Sequence, residues 1–396
     1  MLVSDFDYEL PRELIAQEPA VRREAARLLV AGADLGASQH LSVADLPEQL
    51  EPGDLLVVND TRVRRARLFA RRPSGGRVEL FFLGPEPGRP EVWRALANPA
   101  RKLRVGEHLS IELPGAAERD PDHDAADGQA HSFAEGWSLE PLERLPHDAE
   151  PDKPGPTWVL AFRHTKDGSP DGAADPAAIE ALFERAGHVP LPPYIARHQG
   201  QGAAEAEHEA VDAERYQTVF ARELGAVAAP TAGLHLTEEL LARLDARGIE
   251  RASVTLHVGL GTFAAVEVED TADHPMHAET FHLPQATVDA VARTRGRGGR
   301  VVCVGTTSVR VLESCVDDTG QLRAGSGSTR LFLTPGSRFH VCDRLLTNYH
   351  LPKSTLLMLV SAFVGRDFAL GLYAQAIEQR YRFYSYGDAM LLTRPG

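Results

Sequence analysis

Three observations in this 396-residue sequence predict an α/β main domain built on a mixed sheet, with a small β-barrel domain inserted in it. Between about residues 63 and 113 short alternating strands succeed one another without a helix of normal length. Before Asn59 and after Ile179 helices and strands alternate, and beyond residue 225 apolar strands run into polar motifs carrying glycine, histidine or hydroxyl groups. The expected division is a discontinuous α/β catalytic domain over residues 1–62 and 176–396, interrupted by a barrel over residues 63–175. A hydrophobic content of 43% is enough for a large core.

In the barrel segment, residues 77–83, 91–97 and 108–113 read as strands, and residues 158–162 resume the pattern. Farther on, residues 225–229 form a short strand ending at Pro230-Thr231-Ala232-Gly233-Leu234-His235. Thr237 suits an N-cap, Glu238 and Glu239 suit the positive end of a helix that runs to Arg247, and Gly248 suits its termination. In the next strand, residues 251–258, Val254, Leu256 and Val258 share one face while Ser253, Thr255 and His257 share the other. A strand at 300–304 runs into Gly305-Thr306-Thr307-Ser308 and a helix, and one at 344–348 runs into Tyr349-His350-Leu351-Pro352-Lys353-Ser354 and another helix. Polar motifs at strand carboxyl ends occupy the place where open α/β sheets bind ligands, and two histidines among them point to proton transfer.

The formal net charge of −14 is concentrated in two segments. Residues 117–152 hold 11 acidic and 2 basic residues, and residues 200–214 hold 5 acidic and none basic. Both read as solvated loops or flexible insertions. The remainder is neutral overall and carries an arginine run, Arg62, Arg64, Arg65, Arg67, Arg71, Arg72 and Arg77, with a smaller one at Arg293, Arg295, Arg297 and Arg300. Such runs can neutralise phosphates or simply decorate an exposed strand. Three cysteines, odd in number and without a CxxC pair, fit a reducing compartment. No charged-then-apolar leader opens the chain and the longest apolar stretch, residues 356–364, is too short to span a bilayer, so a cytoplasmic protein without a membrane partner is expected.

Two tempting motifs are set aside. Gly259-Leu260-Gly261-Thr262-Phe263-Ala264 fits a dinucleotide fingerprint only superficially, because residues 265–269 alternate like a strand where a helix is required. His274 and His277 have HxxH spacing, but no further ligands with recognisable spacing follow, so no metal is expected.

The motifs NDTRV at 59–63, GHVPLPPY at 187–194, ERYQTVF at 214–220, PTAGLH at 230–235, TLHVGLGTF at 255–263, MHAE at 276–279, VGTTSVR at 304–310, NYHLPKST at 348–355 and FYSYGDAM at 383–390 occur in the order of one known family. In these motifs, over essentially its full length, the chain resembles the S-adenosylmethionine:tRNA ribosyltransferase-isomerases of queuosine biosynthesis. The resemblance implies a barrel inserted in an α/β domain. It also implies transfer and isomerisation of the ribosyl moiety of S-adenosylmethionine onto 7-aminomethyl-7-deazaguanine at the tRNA wobble position, giving epoxyqueuosine-tRNA, adenine and methionine. The partners would be that tRNA and S-adenosylmethionine, which is consumed as ribosyl donor with no other cofactor, and a monomer is expected. The chain departs from the family in Leu236, where Phe is usual, in Asp60, where Asn is common, in a loosely matching segment at 93–107 and in longer acidic insertions.

Under that implied reaction the sulfonium acidifies the adjacent ribose 5′ carbon, and departing adenine needs a proton, so one base and one acid are required. His235 and His257 are the candidates, with the division between them open, and Glu279 joins them as a carboxylate able to hold the substrate's amino group. Thr231, Gly233, Gly259, Gly261, Thr262, Thr306, Thr307, Arg310, Asn348, His350, Tyr386 and Asp388 are the substrate-binding candidates. Thr306 and Thr307 would offer helix N–H groups to a carboxylate or phosphate, Asn348 and His350 would meet adenine or ribose, and Tyr386 and Asp388 an extruded base. Arg62, Arg64, Arg65 and Arg67 would contact the tRNA. The alternatives are a nicotinamide-dependent oxidoreductase and a non-catalytic tRNA-binding protein. Strand-end histidines far from the arginine run disfavour the second.

Overall fold

Four parallel strands, Glu250–Leu256, Leu55–Asn59, Val301–Val304 and Arg344–Asn348 in that spatial order, form the centre of a nine-stranded mixed sheet. The last three are buried throughout, as strands covered on both faces must be. Leu55 and Val57 join Val301 and Cys303 in one core cluster, whereas Leu56 and Val58 join Val302 and Val304 in another on the opposite face. Ala389–Thr393 pairs antiparallel with Arg344–Asn348 and parallel with Arg27–Gly32, whose far side takes Gln39–Ser42. Glu279–Leu283 and Gly325–Thr329 complete the other edge. From Leu55–Asn59 the chain reaches Glu250–Leu256 on one side and Val301–Val304 on the other, so connections diverge there and leave a crevice at the strand ends.

This computed structural model describes residues 1–32, 37–114, 133–147, 153–165, 174–197, 203–259, 266 and 268–395. The sheet belongs to a first unit made of Met1–Arg62, Pro192–Ala196 and Arg215–Gly396, and a second unit comprises Val63–Leu191 and Arg197–Glu214. The second unit is built on a closed barrel of Pro154–His164, Arg89–Asn98, Arg77–Glu86, Arg67–Arg71, Leu109–Glu112 and Phe133–Pro146. Leu80, Phe82, Trp93, Leu139, Trp158 and Phe162 fill it.

Local chemistry explains the helix that follows the first histidine motif. Thr237 accepts a hydrogen bond from Leu240 N at 3.1 Å, Glu238–Ala246 is helical, and Gly248 takes φ +77°, which a side chain would oppose.

Four sequence expectations are corrected. The strand expected at 225–229 is instead Glu223–Ala226 in a separate two-stranded sheet, so the PTAGLH motif does not end a strand of the main sheet. The boundary at residue 175 moves, because helix Pro176–Ala186 buries Ile179, Leu182, Phe183 and Ala186 in the barrel's own cluster. The stretch 117–152 is not wholly a loop: Phe133–Pro146 is a barrel strand paired on both sides, with Ala134 and Leu139 buried. Acidic side chains stand on its other face, where Glu140 meets Arg163 at 2.6 Å. Residues 117–132 and 148–152 lie outside the described residues. The second acidic stretch contains helix Ala203–Arg215, since Ala and Glu are good helix formers, and its buried Asp212 is held by Arg197 at 2.7 Å. Among the described residues no single helix is long and apolar enough to cross a membrane.

Candidate active site at the strand ends

The first histidine is placed by the turn that follows Asn59. Asn59 bridges two neighbouring parallel strands, its amide nitrogen donating to Leu256 O at 3.0 Å and its Oδ1 accepting from Leu256 N at 3.0 Å. Asp60 accepts from Thr255 Oγ1 at 2.7 Å and from Arg222 at 2.7 Å. The turn thereby holds Thr61 so that its Oγ1 lies 2.8 Å from Nδ1 of His257, whose backbone N donates to Thr280 O at 3.0 Å. His257 is half-buried. Thr61 and Asn59 were missed as positioning residues, although the NDTRV motif that carries them was visible.

The second histidine ends a short 3-10 turn, Thr231–His235, and is buried. Asn348, at the end of its strand, donates to Tyr384 O at 2.9 Å, and the same amide nitrogen lies 3.3 Å from Nε2 of His235. That nitrogen therefore faces a donor and acts as acceptor, which leaves a neutral imidazole protonated at Nδ1. Burial, reinforced by nearby Arg382 and Arg23 and opposed by the Asn348 hydrogen bond, pulls His235 from 6.5 down to about 4. His235 lines a hollow of about 260 Å³ together with Arg23, Arg215, Ser385 and Tyr386.

Asn348 also lines a larger cavity of about 700 Å³, with Thr231, Thr306, Thr307, Tyr349 and His350. Helix Thr306–Ser314 begins there after Gly305, whose φ of +85° turns the strand into the helix and leaves first-turn N–H groups at the cavity. Thr307 Oγ1, Asn348 Oδ1 and Tyr349 OH are buried without a protein partner. Burial raises Tyr349 well above its ordinary range, so its hydroxyl stays protonated, and burial lowers His350 to about 3, so its imidazole stays neutral.

A third group forms around Glu279 and Arg310, a buried ion pair whose side chains are each 7% exposed. Glu279 Oε1 also accepts from Gly259 N at 3.0 Å, and Arg310 Nε donates to Leu331 O at 3.2 Å. The pair lines a hollow of about 470 Å³.

The structure thus brings His235, Asn348, Thr231, Thr306, Thr307 and His350 around adjoining cavities, and joins Gly259, Glu279 and Arg310. Gly233 has a packing task, since a Cβ there would stand 2.7 Å from Phe220 and 2.9 Å from Thr218. Tyr386 is buried edge-on to Tyr216, and both oxygens of Asp388 are occupied by backbone N–H groups of Arg27 and Arg382. Gly261 and Thr262 lie outside the described residues.

Of the arginines, Arg62 is exposed, while the next three meet carboxylates. Arg64 grips Glu180 through two nitrogens at 2.7 and 2.9 Å, Arg65 reaches Glu209 at 3.3 Å and Arg67 reaches Glu79 at 2.5 Å. Among the described residues no cluster of His, Cys, Asp or Glu could hold a metal ion.

The mixed sheet with a divergence point, the cavities at its strand ends and the open helix N-terminus are features of an α/β fold with room for a small polar ligand. Comparison with known proteins specifies the class. The profile of a family described as queuosine biosynthesis protein matches residues 3–392. The S-adenosylmethionine:tRNA ribosyltransferase-isomerase of Trichlorobacter lovleyi is 45% identical over 393 residues, covering 99% of this chain and 100% of that protein. Its counterpart in Geobacter sulfurreducens is 44% identical over 392 residues, with 99% and 100% covered. The crystal structure of S-adenosylmethionine tRNA ribosyltransferase from Thermotoga maritima matches 98% of this chain and 100% of its own, at 32% identity and a TM-score of 0.50. The chain belongs to the queuosine biosynthesis family and is an enzyme of the ribosyltransferase-isomerase class.

Proposed function

We propose that the enzyme transfers and isomerises the ribosyl moiety of S-adenosylmethionine onto 7-aminomethyl-7-deazaguanine at the wobble position of tRNA. The products are epoxyqueuosine-tRNA, adenine and methionine. S-adenosylmethionine is consumed as ribosyl donor, no other cofactor takes part, and the reaction belongs in the cytoplasm.

One observation carries this reading. Thr307 Oγ1, Asn348 Oδ1 and Tyr349 OH are buried, lack protein partners and belong to residues that line the same cavity. Folded proteins rarely leave such atoms unsatisfied, and an amide acceptor beside hydroxyl groups matches the edge of adenine and the hydroxyls of ribose. The N–H groups of the first turn after Gly305 add donors for an oxygen of the ligand.

His235 and His257 are the proposed pair for proton transfer. The base takes the proton from the ribose carbon next to the sulfonium, and the acid supplies the proton that leaves with adenine. A neutral His235 presents an acceptor nitrogen toward Asn348 and an N–H that can donate a hydrogen bond, so as it stands it can accept a proton, and it can act as the acid only after taking one up. Thr61 sets the orientation of His257. Arg62, Arg64, Arg65 and Arg67 are the proposed tRNA contacts. Because three of them share their charge with carboxylates, they serve more through directed hydrogen bonds than through charge neutralisation.

The test is to mix the protein with S-adenosylmethionine and tRNA carrying 7-aminomethyl-7-deazaguanine and to quantify adenine. Adenine and methionine should appear in equal amounts, only when the modified tRNA is present. No adenine, or adenine formed equally without the modified base, would refute the proposal.

A further inference from the structure

We infer that the hollow beside Glu279 and Arg310 receives the α-amino-acid end of S-adenosylmethionine and retains it as product methionine. The inference rests on the ribosyl-transfer reading and adds a seat for the half of the substrate that the larger cavity does not explain.

The chemistry begins with Arg310. Its Nη1 pairs with Glu279, its Nε donates to Leu331 O at 3.2 Å, and its Nη2 is buried without a partner. A guanidinium N–H left bare in the interior lacks a charge-assisted bond that a carboxylate would supply. Glu279 spends one oxygen on Gly259 N and keeps acceptor capacity on the other beside Arg310. Opposite charges side by side match a zwitterion: the ligand carboxylate meets Arg310 and its ammonium meets Glu279. The same pair is neutral overall, so it offers little to a phosphate, which Glu279 repels, or to a simple amine, which Arg310 repels.

The rest of the hollow fits the side chain of such an amino acid. Met276, Leu331, Phe332, Leu356 and Leu359 provide an apolar, polarisable wall suited to a thioether. Leu356 also lines the larger cavity, so the two spaces share a wall at the start of helix Thr355–Val364. A ligand with a nucleoside in one and an amino acid in the other would have its sulfur between them.

The experiment measures binding of L-methionine to the unliganded enzyme by equilibrium dialysis, next to 3-(methylthio)propylamine, which lacks the carboxylate, and 4-(methylthio)butanoate, which lacks the amine. L-methionine should bind at least tenfold more tightly than either analogue and should compete with S-adenosylmethionine in the adenine-release assay. Arg310→Gln should lose at least tenfold in methionine affinity, and Arg310→Lys should recover part of it. Equal binding of methionine and the amine by the wild-type enzyme would overturn the inference without any variant having to fold. Unchanged methionine affinity in folded Arg310→Gln would do the same. Adenine release with carboxylate-independent methionine binding defeats the inference alone. Carboxylate-dependent binding with no adenine release from any tRNA defeats the ribosyl-transfer reading and leaves an amino-acid site.

Discussion

Gly225 lies against the imidazole of His257, so close that a Cβ built on the glycine would stand 2.6 Å from Nδ1 and 2.7 Å from Cε1. Nδ1 is the atom that meets Thr61 at 2.8 Å. Glycine is required here by close approach of the backbone to a ring. Gly225→Ala should therefore push the imidazole off Thr61 at a cost of about 1–3 kcal/mol in packing strain. Adenine release should fall at least tenfold while circular dichroism still reports a folded chain. Turnover equal to wild type in the folded variant would remove His257 from the proposed chemistry.

His235 governs a pH dependence with a definite sign. Its folded pKa of about 4 lies below the unfolded value near 6.5, so the unfolded chain takes up the proton first as pH falls. The stability contributed by the neutral ring is complete above about pH 6.5 and is lost toward pH 4, by on the order of 3 kcal/mol. Urea midpoints measured from pH 7 to 4.5 should drop less in His235→Asn than in wild type. In the assay, His235→Ala and His257→Ala should each lower turnover by roughly 10²–10⁴-fold with far smaller effects on tRNA affinity. A parallel loss of tRNA binding would argue for a structural role instead.

The acidic segment divides at Phe133. Replacing residues 117–131 with a short Gly/Ser linker should leave solubility and turnover near wild type, because their composition offers little to bury. Extending the deletion to residue 152 removes Phe133–Pro146, which pairs with two neighbours and buries Leu139, and should abolish soluble protein. Recovery of active enzyme from the longer deletion would mean the barrel can close without that strand.

Salt dependence tests the arginine run. Each phosphate contact adds roughly 0.7 to 0.9 to the log–log slope of tRNA affinity against salt. Arg64 and Arg67 are already paired with Glu180 and Glu79, so replacing both with Ala should flatten the slope by less than one such contact. A loss worth two full contacts would show that both ion pairs open when tRNA binds.

Elements near the site were legible because each carries a local signal. Thr237 and Gly248 bracket their helix, and the strand Arg344–Asn348 has the expected bounds. The acidic segments were misread because net charge over a window averages the two faces of an element. Glu135, Glu140 and Glu143 concealed a strand whose Ala134 and Leu139 point inward. Helix Pro176–Ala186 was assigned to the wrong side of a boundary because an apolar face does not say which core it covers.

By itself the sequence determined the two textures of the chain, the strand-end location of the polar motifs that follow Leu256, Val304 and Asn348, and membership of the family. Periodicity and ordered residue identities suffice for these. The tertiary structure alone decided which groups meet. His235 reaches Asn348 across 113 positions, His257 reaches Thr61 across 196, and Glu279 reaches Arg310 across 31. It also decided that Arg64, Arg65 and Arg67 already have carboxylate partners. Hydrogen bonds and ion pairs act over about 3 Å and are indifferent to separation along the chain, so a pattern of residue types names the candidates and only the fold pairs them.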